Sequence, residues 1–223
     1  MERNSALRPN SWANLSAAAR PTATRAETGL AAELLGMPEP LLVVDVQRGF
    51  INQFTQHIPA RIKRLIETGD YAPVLYTLFV NTDGSPYQTL LEWHACAGPP
   101  ETELVDELAP LAHDDNVFVK HGLAGMPDAL ARRVRDDQLQ QVWIVGLDTD
   151  MCVLKIAMDL FDLGIEPVVL ADCCASTAGL QAHLAGLSIL SRNIGPHQLR
   201  LTQLHETYLA APEGDPTPAP TPD

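Results

Sequence analysis

Positive charge is scarce in this chain. Fifteen lysines and arginines face 28 aspartates and glutamates across 223 residues, a formal charge of −13, and only Lys63, Lys120 and Lys155 are lysines. A field of that sign repels phosphate backbones and anionic lipid, so neither a nucleic acid nor a membrane is an expected partner. Long apolar runs are also missing. The best candidates, Leu41 to Val46 and Pro167 to Ala171, end in polar residues, far short of the roughly 20 a membrane helix requires. Cysteine is sparse. Cys96, Cys152, Cys173 and Cys174 are too few to staple a chain of this length, and two are sequence neighbours, so a disulfide scaffold is excluded and a reducing cytoplasm is the expected setting. There is no Gly-x-x-x-x-Gly-Lys-Ser/Thr loop, no Gly-x-Gly-x-x-Gly after the first apolar run and no Gly-x-Ser-x-Gly elbow. Nucleoside-triphosphate, dinucleotide and serine-hydrolase readings lose their main support.

What is present is a chain with 46% hydrophobic residues, enough to bury the core of one large domain. Residues 1–26 carry Arg3, Arg8, Arg20 and Arg25 among Ala, Ser and Thr, with Pro9 and Pro21 and no apolar periodicity. They are expected to be a disordered extension, with an organelle transit peptide or a misassigned start as alternatives. Residues 211–223 alternate Pro with Thr, Ala and Asp and read as a disordered tail. Residues 27–210 are the expected domain. In it, short apolar runs alternate with amphipathic stretches, the pattern of an α/β domain whose parallel sheet is covered on both faces. Strands are expected at Leu41 to Val46, Pro73 to Val80, Asn116 to Val119, Gln141 to Val145 and Glu166 to Leu170, with a weaker one near Gln198 to Thr202. Helices are expected at Ile58 to Thr68, Met126 to Asp136, Met151 to Leu163 and Ala178 to Leu190. Asn81 to Asp115 is long and irregular, a length that in α/β domains usually serves function.

Ligands of an open parallel sheet sit beyond the carboxyl ends of the strands, so polar residues closing the apolar runs are the first candidates. Asp45 follows Leu41-Leu42-Val43-Val44, Lys120 follows Val117-Phe118-Val119, Cys152 lies just beyond Val142-Trp143-Ile144-Val145-Gly146 at the mouth of a helix, and Asp172 closes the fifth run. Each has an ordinary structural reading taken alone: a cap or loop anchor for an Asp, a solvated charge for a Lys, a small apolar filler for a Cys. Asp172 is read as such an anchor, and Lys155 as a solvated helix residue. Taken together, Asp45, Lys120 and Cys152 make a machine. A thiol at a helix N-terminus beside an ammonium is expected to have a lowered pKa and to attack a carbonyl, while a carboxylate beside it shuttles the proton. Free N–H groups of the turn can hold an oxyanion.

The order Val-Val-Asp-Val-Gln-x-Gly-Phe, Val-Phe-Val-Lys, Gly-Leu-Asp-Thr-Asp-Met-Cys-Val, spread over about Leu41 to Gln203, resembles the isochorismatase-like cysteine hydrolases, which include nicotinamidases and N-carbamoylsarcosine, ureido and biuret amidohydrolases. The resemblance implies a Rossmann-like three-layer α/β/α sandwich with a six-stranded, mostly parallel sheet. It implies Asp45 as general base and acid, Lys120 as the organising cation and Cys152 as nucleophile. It also implies a cis peptide at Leu147 to Asp148, oxyanion-hole amides from Asp148 and Cys152, and a homodimer or homotetramer. Phe50, Phe79, Trp93 and Met151 flank the triad segments and are candidate walls of the substrate pocket.

The chain also departs from its relatives. Asp148 and Ile156 stand where relatives commonly carry small or hydroxylic residues and Thr. Nicotinamidases have an Asp-x-His and a further His for a metal after the second strand, whereas Asn81-Thr82-Asp83-Gly84-Ser85 holds only the acid and His94 is isolated. The expectation is a metal-free enzyme with no cofactor, not a nicotinamidase, acting on a small amide, imide or ureido substrate. His121 beside Lys120 should point to the opposite face of its strand. The rivals are vinyl-ether hydrolysis of the isochorismate kind, against which Cys152 argues, and a non-catalytic binding subunit that kept the fold.

Overall fold

Apolar runs such as Leu41-Leu42-Val43-Val44 place successive side chains on opposite faces of a strand, so a run apolar throughout needs cover on both sides. The computed structural model describes residues 38–122 and 125–202, and in it these runs form one six-stranded sheet. The strands are β1 (Glu39–Val44), β2 (Tyr71–Phe79), β3 (Val117–Lys120), β4 (Gln141–Leu147), β5 (Glu166–Ala175) and β6 (Leu199–Arg200), in the order β3-β2-β1-β4-β5-β6. Every adjacent pair is parallel. The helices are α1 (Ile58–Thr68), α2 (Pro86–Leu90), α3 (Asp128–Asp136), α4 (Leu154–Asp162) and α5 (Leu180–Asn193). On one face Leu41, Val43, Val145 and Val168 pack with Ile58, Ile62 and Leu65 of α1. On the other, Leu42, Val44, Ile144 and Val169 pack with Leu130 and Val134 of α3, Ile156 and Leu160 of α4, and Leu190 of α5. The result is the α/β/α sandwich.

Strand order reverses direction between β1 and β4. This switch point opens a crevice beyond the strand ends, because the connections leaving the two strands run to opposite faces. At this end of β4 Gly146 adopts φ 122°, and a Cβ there would lie 2.2 Å from the carbonyl oxygen of Val44 on β1, so only glycine fits. Asp45 follows β1 and Cys152 follows β4, so both fall at the same crevice.

Several boundaries differ from expectation. β5 runs to Ala175, past the expected Leu170, and its pairing with β4 shifts register between Ile144 and Gly146. The expected helix Met151 to Leu163 divides into a π-helical turn, Thr149–Val153, and α4. The last helix begins at Leu180 and continues to Asn193, while β6 is only Leu199–Arg200. The irregular segment after β2 contains α2 and a short 3-10 turn, Ala109–Leu111. It is pinned to the chain after β1 by an antiparallel bridge between Gln47 and Leu104, and by the amides of Arg48 and Gly49, which donate to Glu103 and Glu101. The tails expected at residues 1–26 and 211–223 lie outside the described residues, as do the outer ends of the expected 27–210 domain. Among the described residues no helix is long and apolar enough to cross a membrane.

Candidate active site

Asp45 is the first residue beyond β1 and adopts the left-handed backbone conformation (φ 50°), which a non-glycine residue takes rarely and Asp more readily than most. Its amide donates to the carbonyl of Thr77 on β2. The carboxylate is fully buried. Oδ1 accepts a 2.7 Å hydrogen bond from Thr77 Oγ1. Oδ2 lies 2.9 Å from Lys120 Nζ but receives no well-directed hydrogen bond, so a lone pair stays available for a proton. Two residues on, the buried Gln47 side chain locks this segment to the end of β2: its amide donates to the carbonyls of Phe79 and Thr102, and its Oε1 accepts from the Phe79 N–H.

Lys120 ends β3, two strands from β1, and its long stem crosses the gap. Phe79 is its register partner on β2, and the ammonium sits 5.2 Å from that ring's centroid. Nζ reaches Asp45 Oδ2 and, at 3.2 Å, Cys152 Sγ. The lysine side chain is 1% exposed. Burial opposes its charge, yet the adjacent carboxylate and sulfur outweigh burial and hold its pKa above the usual lysine value. The solvated charge that a lone strand-end lysine suggests is not what this residue is.

Cys152 is the fourth residue of the π-helical turn and is partly exposed to the crevice. The thiol differs from the sequence expectation of a lowered pKa. Burial, then the Asp45 charge, push it well above the ordinary thiol value, with Lys120 pulling the other way. Asp148, at the start of the turn, follows a cis peptide bond with Leu147. Its carbonyl accepts from the amides of Met151 and Val153 and bypasses the Cys152 amide between them. Both carboxylate oxygens are engaged by Thr177, through its amide and its hydroxyl. Burial raises the Asp148 pKa, with the Thr177 bonds opposing. Asp148 therefore ties the turn to the chain after β5.

Above these groups lies a cavity of about 440 Å³ with Cys152 and Asp148 in its lining. Phe50, Phe79, Trp93 and Met151 all border it, joined by Tyr87, Leu91, Asn52 and Thr177, which sequence reasoning did not identify. Phe50 and Trp93 stack at 13° with centroids 6.4 Å apart, and Tyr87 meets Phe79 edge-on. Thr77 had a readable signal, a hydroxyl inside the apolar run Val74 to Phe79; Tyr87 had none. The remaining sequence candidates lie elsewhere. Asp172 sits inside β5 and does not close it; its carboxylate pairs with Arg61 and accepts from the amide and hydroxyl of Thr202, an anchor between β5 and the chain after β6. Lys155 pairs with Asp159 on the surface of α4. His121 is exposed, with its ring against the Val80 carbonyl. Ile156 is fully buried in the helix-facing core. Among the described residues no three His, Cys, Asp or Glu side chains are gathered to hold a metal ion.

A family model, the Isochorismatase domain, matches residues 39–197. The isochorismatase family protein PncA of Bacillus subtilis (strain 168) is 26% identical over 183 residues, covering 71% of this chain and 97% of its own. Among solved structures, nicotinamidase PncA from Bacillus subtilis matches with a TM-score of 0.58 at 26% identity, covering 74% of this chain and 99% of that one. N-carbamoylsarcosine amidase from Thermoplasma acidophilum shares the fold at a TM-score of 0.59 and 24% identity, over 80% of this chain and 100% of that one.

Proposed function

The chain belongs to the isochorismatase family, and from that premise we propose that it is a cysteine amidohydrolase, cleaving a C–N bond of a small, uncharged amide, imide or ureido substrate through an acyl-enzyme on Cys152. The observation that carries this reading is the buried Lys120 ammonium, 2.9 Å from Asp45 Oδ2 and 3.2 Å from Cys152 Sγ beneath an open cavity. Core packing has no use for a cation wedged between an acid and a thiol. Nicotinamidase and N-carbamoylsarcosine amidase, as their names state, act on amide-type bonds, and both share this fold.

With burial and the Asp45 charge raising the thiol pKa, deprotonation in this reading is coupled to attack. Sγ bonds to the substrate carbonyl carbon while its proton passes to Asp45 Oδ2, and the carbonyl electron pair moves onto oxygen, where the amides of Asp148 and Cys152 receive it. The intermediate collapses with cleavage of the C–N bond; Asp45 hands the proton to the departing nitrogen and a thioester remains. Water then gives a proton to Asp45 as its oxygen attacks the thioester carbon. The C–S bond breaks and the sulfur recovers the proton. Lys120 compensates the negative charge that moves between carboxylate and sulfur, and Thr77 holds the other carboxylate oxygen still.

The cavity supports an uncharged substrate. Among the described residues its lining includes no lysine or arginine, and the carboxylate there, Asp148, has both oxygens occupied. A charged substrate group would lose its water without gaining a partner. Phe50, Phe79, Tyr87 and Trp93 favour an apolar or flat acyl portion. The donors present do not fit a metal: Asp83 has no histidine beside it between Asn81 and Ser85, so the reading is of a metal-independent reaction. A reducing cytoplasm that keeps Cys152 a thiol, and assembly as a homodimer or homotetramer, belong to the same reading.

The test is a panel of uncharged amides, imides and ureides screened for ammonia or amine release, with acid-quenched samples examined by mass spectrometry. An acyl adduct on Cys152 and loss of turnover in Cys152→Ala are expected. Turnover that survives Cys152→Ala would sink the reading.

A further inference from the structure

We propose that helix α5 sets the nucleophile, with His183 and Gly186 as positioning residues that fix the turn Thr149–Val153 and so hold Cys152 Sγ against Lys120 and Asp45. The proposal rests on the cysteine-hydrolase reading above.

The turn is π-helical: the Val153 amide reaches back five residues to the Asp148 carbonyl. Wide turns of this kind are rare and need support from outside their own backbone. α5 supplies it at two points on one face, three residues apart. Thr149 is fully buried, and its hydroxyl lies 2.7 Å from His183 Nδ1. At Gly186 a Cβ would stand 2.8 Å from Cα and N of Asp150 and 2.9 Å from the carbonyl carbon of Thr149. These are backbone atoms, which cannot turn aside as a side chain could. The glycine therefore lets the helix lie directly on the turn. The His183 ring is neutral near pH 7, since burial lowers its pKa, with His57 adding to the effect and Asp150 opposing it. One ring nitrogen accepts and the other donates, and a threonine hydroxyl satisfies either. Thr177, just before α5, is held by Asp148, which immediately precedes the turn. The thiol's position is thus decided about 30 residues downstream of it.

Four variants test this: His183→Leu, His183→Gln, Thr149→Val and Gly186→Ala. Melting temperature, kcat and KM on any amide the enzyme turns over, and the pH profile of Cys152 alkylation by iodoacetamide located by mass spectrometry are measured. His183→Leu, Thr149→Val and Gly186→Ala should each lower kcat by about 10- to 100-fold with KM little changed, the loss expected from displacing a reacting atom by about 1 Å. Their alkylation midpoint should fall toward that of an ordinary thiol, because a displaced sulfur leaves its buried place beside Asp45. His183→Gln, which can still bond to the Thr149 hydroxyl, should recover most of the activity. A purely structural role would lower the melting temperature in folded variants and move neither kcat nor the alkylation profile. If His183→Leu fails to fold, Thr149→Val decides, since it removes the same bond with nearly the same shape. Wild-type kcat and alkylation profile in folded Thr149→Val or His183→Leu would overturn the proposal while Cys152→Ala remained inactive; activity in Cys152→Ala would instead overturn the cysteine-hydrolase reading.

Discussion

Lys120→Met removes the ammonium and keeps an unbranched stem over the Phe79 ring. The Asp45 and Lys120 side chains are each 1% exposed and 2.9 Å apart, so the variant leaves a buried carboxylate with Thr77 as its well-directed partner. Removing one member of a buried pair costs about 3 to 5 kcal/mol, because the other charge stays uncompensated. At about 2 to 4 °C per kcal/mol for a domain of this size, the melting temperature should fall by roughly 6 to 20 °C. The pH dependence has a definite sign. The folded pKa of Lys120 is raised above its unfolded value, so its contribution is fully present near neutrality and is lost only as pH climbs through that raised value, above the ordinary 10.5. Asp45→Asn should be costly for the mirror-image reason. Asp45→Asn with Lys120→Met removes both charges, so its loss should be clearly smaller than the sum of the single losses. Thermal and urea unfolding of the four proteins near neutral pH measure the cycle. A loss below about 1 kcal/mol for Lys120→Met, the range of an exposed pair, or strict additivity in the double variant, would refute the buried, coupled pair.

Thr77→Val deletes the hydrogen bond that holds Asp45 Oδ1; a loss of about 1.5 to 3 kcal/mol in stability is expected for a bond to a charged group, with a fall in kcat, and unchanged kcat would remove Thr77 from the site. Wild-type Cys152 should alkylate faster with rising pH beyond the ordinary thiol value of 9.0, whereas a plateau near neutrality would mean a preformed thiolate. Exhaustive chelation should leave turnover unchanged; activity lost with EDTA and restored by zinc or iron would overturn the metal-independent mechanism. His57 and His183 both have folded pKa values below the ordinary 6.5, so the unfolded chain binds more protons as pH drops below that value and stability declines there. Replacing both by Gln should flatten this part of the melting-temperature profile, and an unchanged acid slope would contradict the assignment.

Much of the frame was legible because it rests on local patterns. The runs at Leu41 to Val46 and Gln141 to Val145 can bury both faces only inside a covered parallel sheet, and among the residues that close apolar runs Asp45, Lys120 and Cys152 stand at the sheet's carboxyl edge, though not Asp172, which lies inside β5. Where local pattern failed, a tertiary contact had intervened. β5 outlasts its apolar run because Cys174 and Ala175 pair with Gly146 and Leu147 after a register shift. Thr149–Val153 is a π turn packed directly against α5, whose Gly186 lies on its backbone, a contact the local pattern does not contain.

The thiol shows the division most sharply. A helix N-terminus and a lysine, read along the sequence, argue for a lowered pKa, since both stabilise a thiolate. Folding adds what the linear order does not contain: burial of the sulfur, and an Asp45 charge brought beside it from more than a hundred residues away. Both disfavour negative charge on sulfur, and they outweigh Lys120. The identities of the acid, cation and thiol are therefore properties of the sequence, because each is a residue type at a strand end. Their electrostatic surroundings and their places, beside Thr77, Gln47 and Phe79, belong to the tertiary structure alone, because desolvation and Coulomb energy depend on distances that exist only once the strands are side by side.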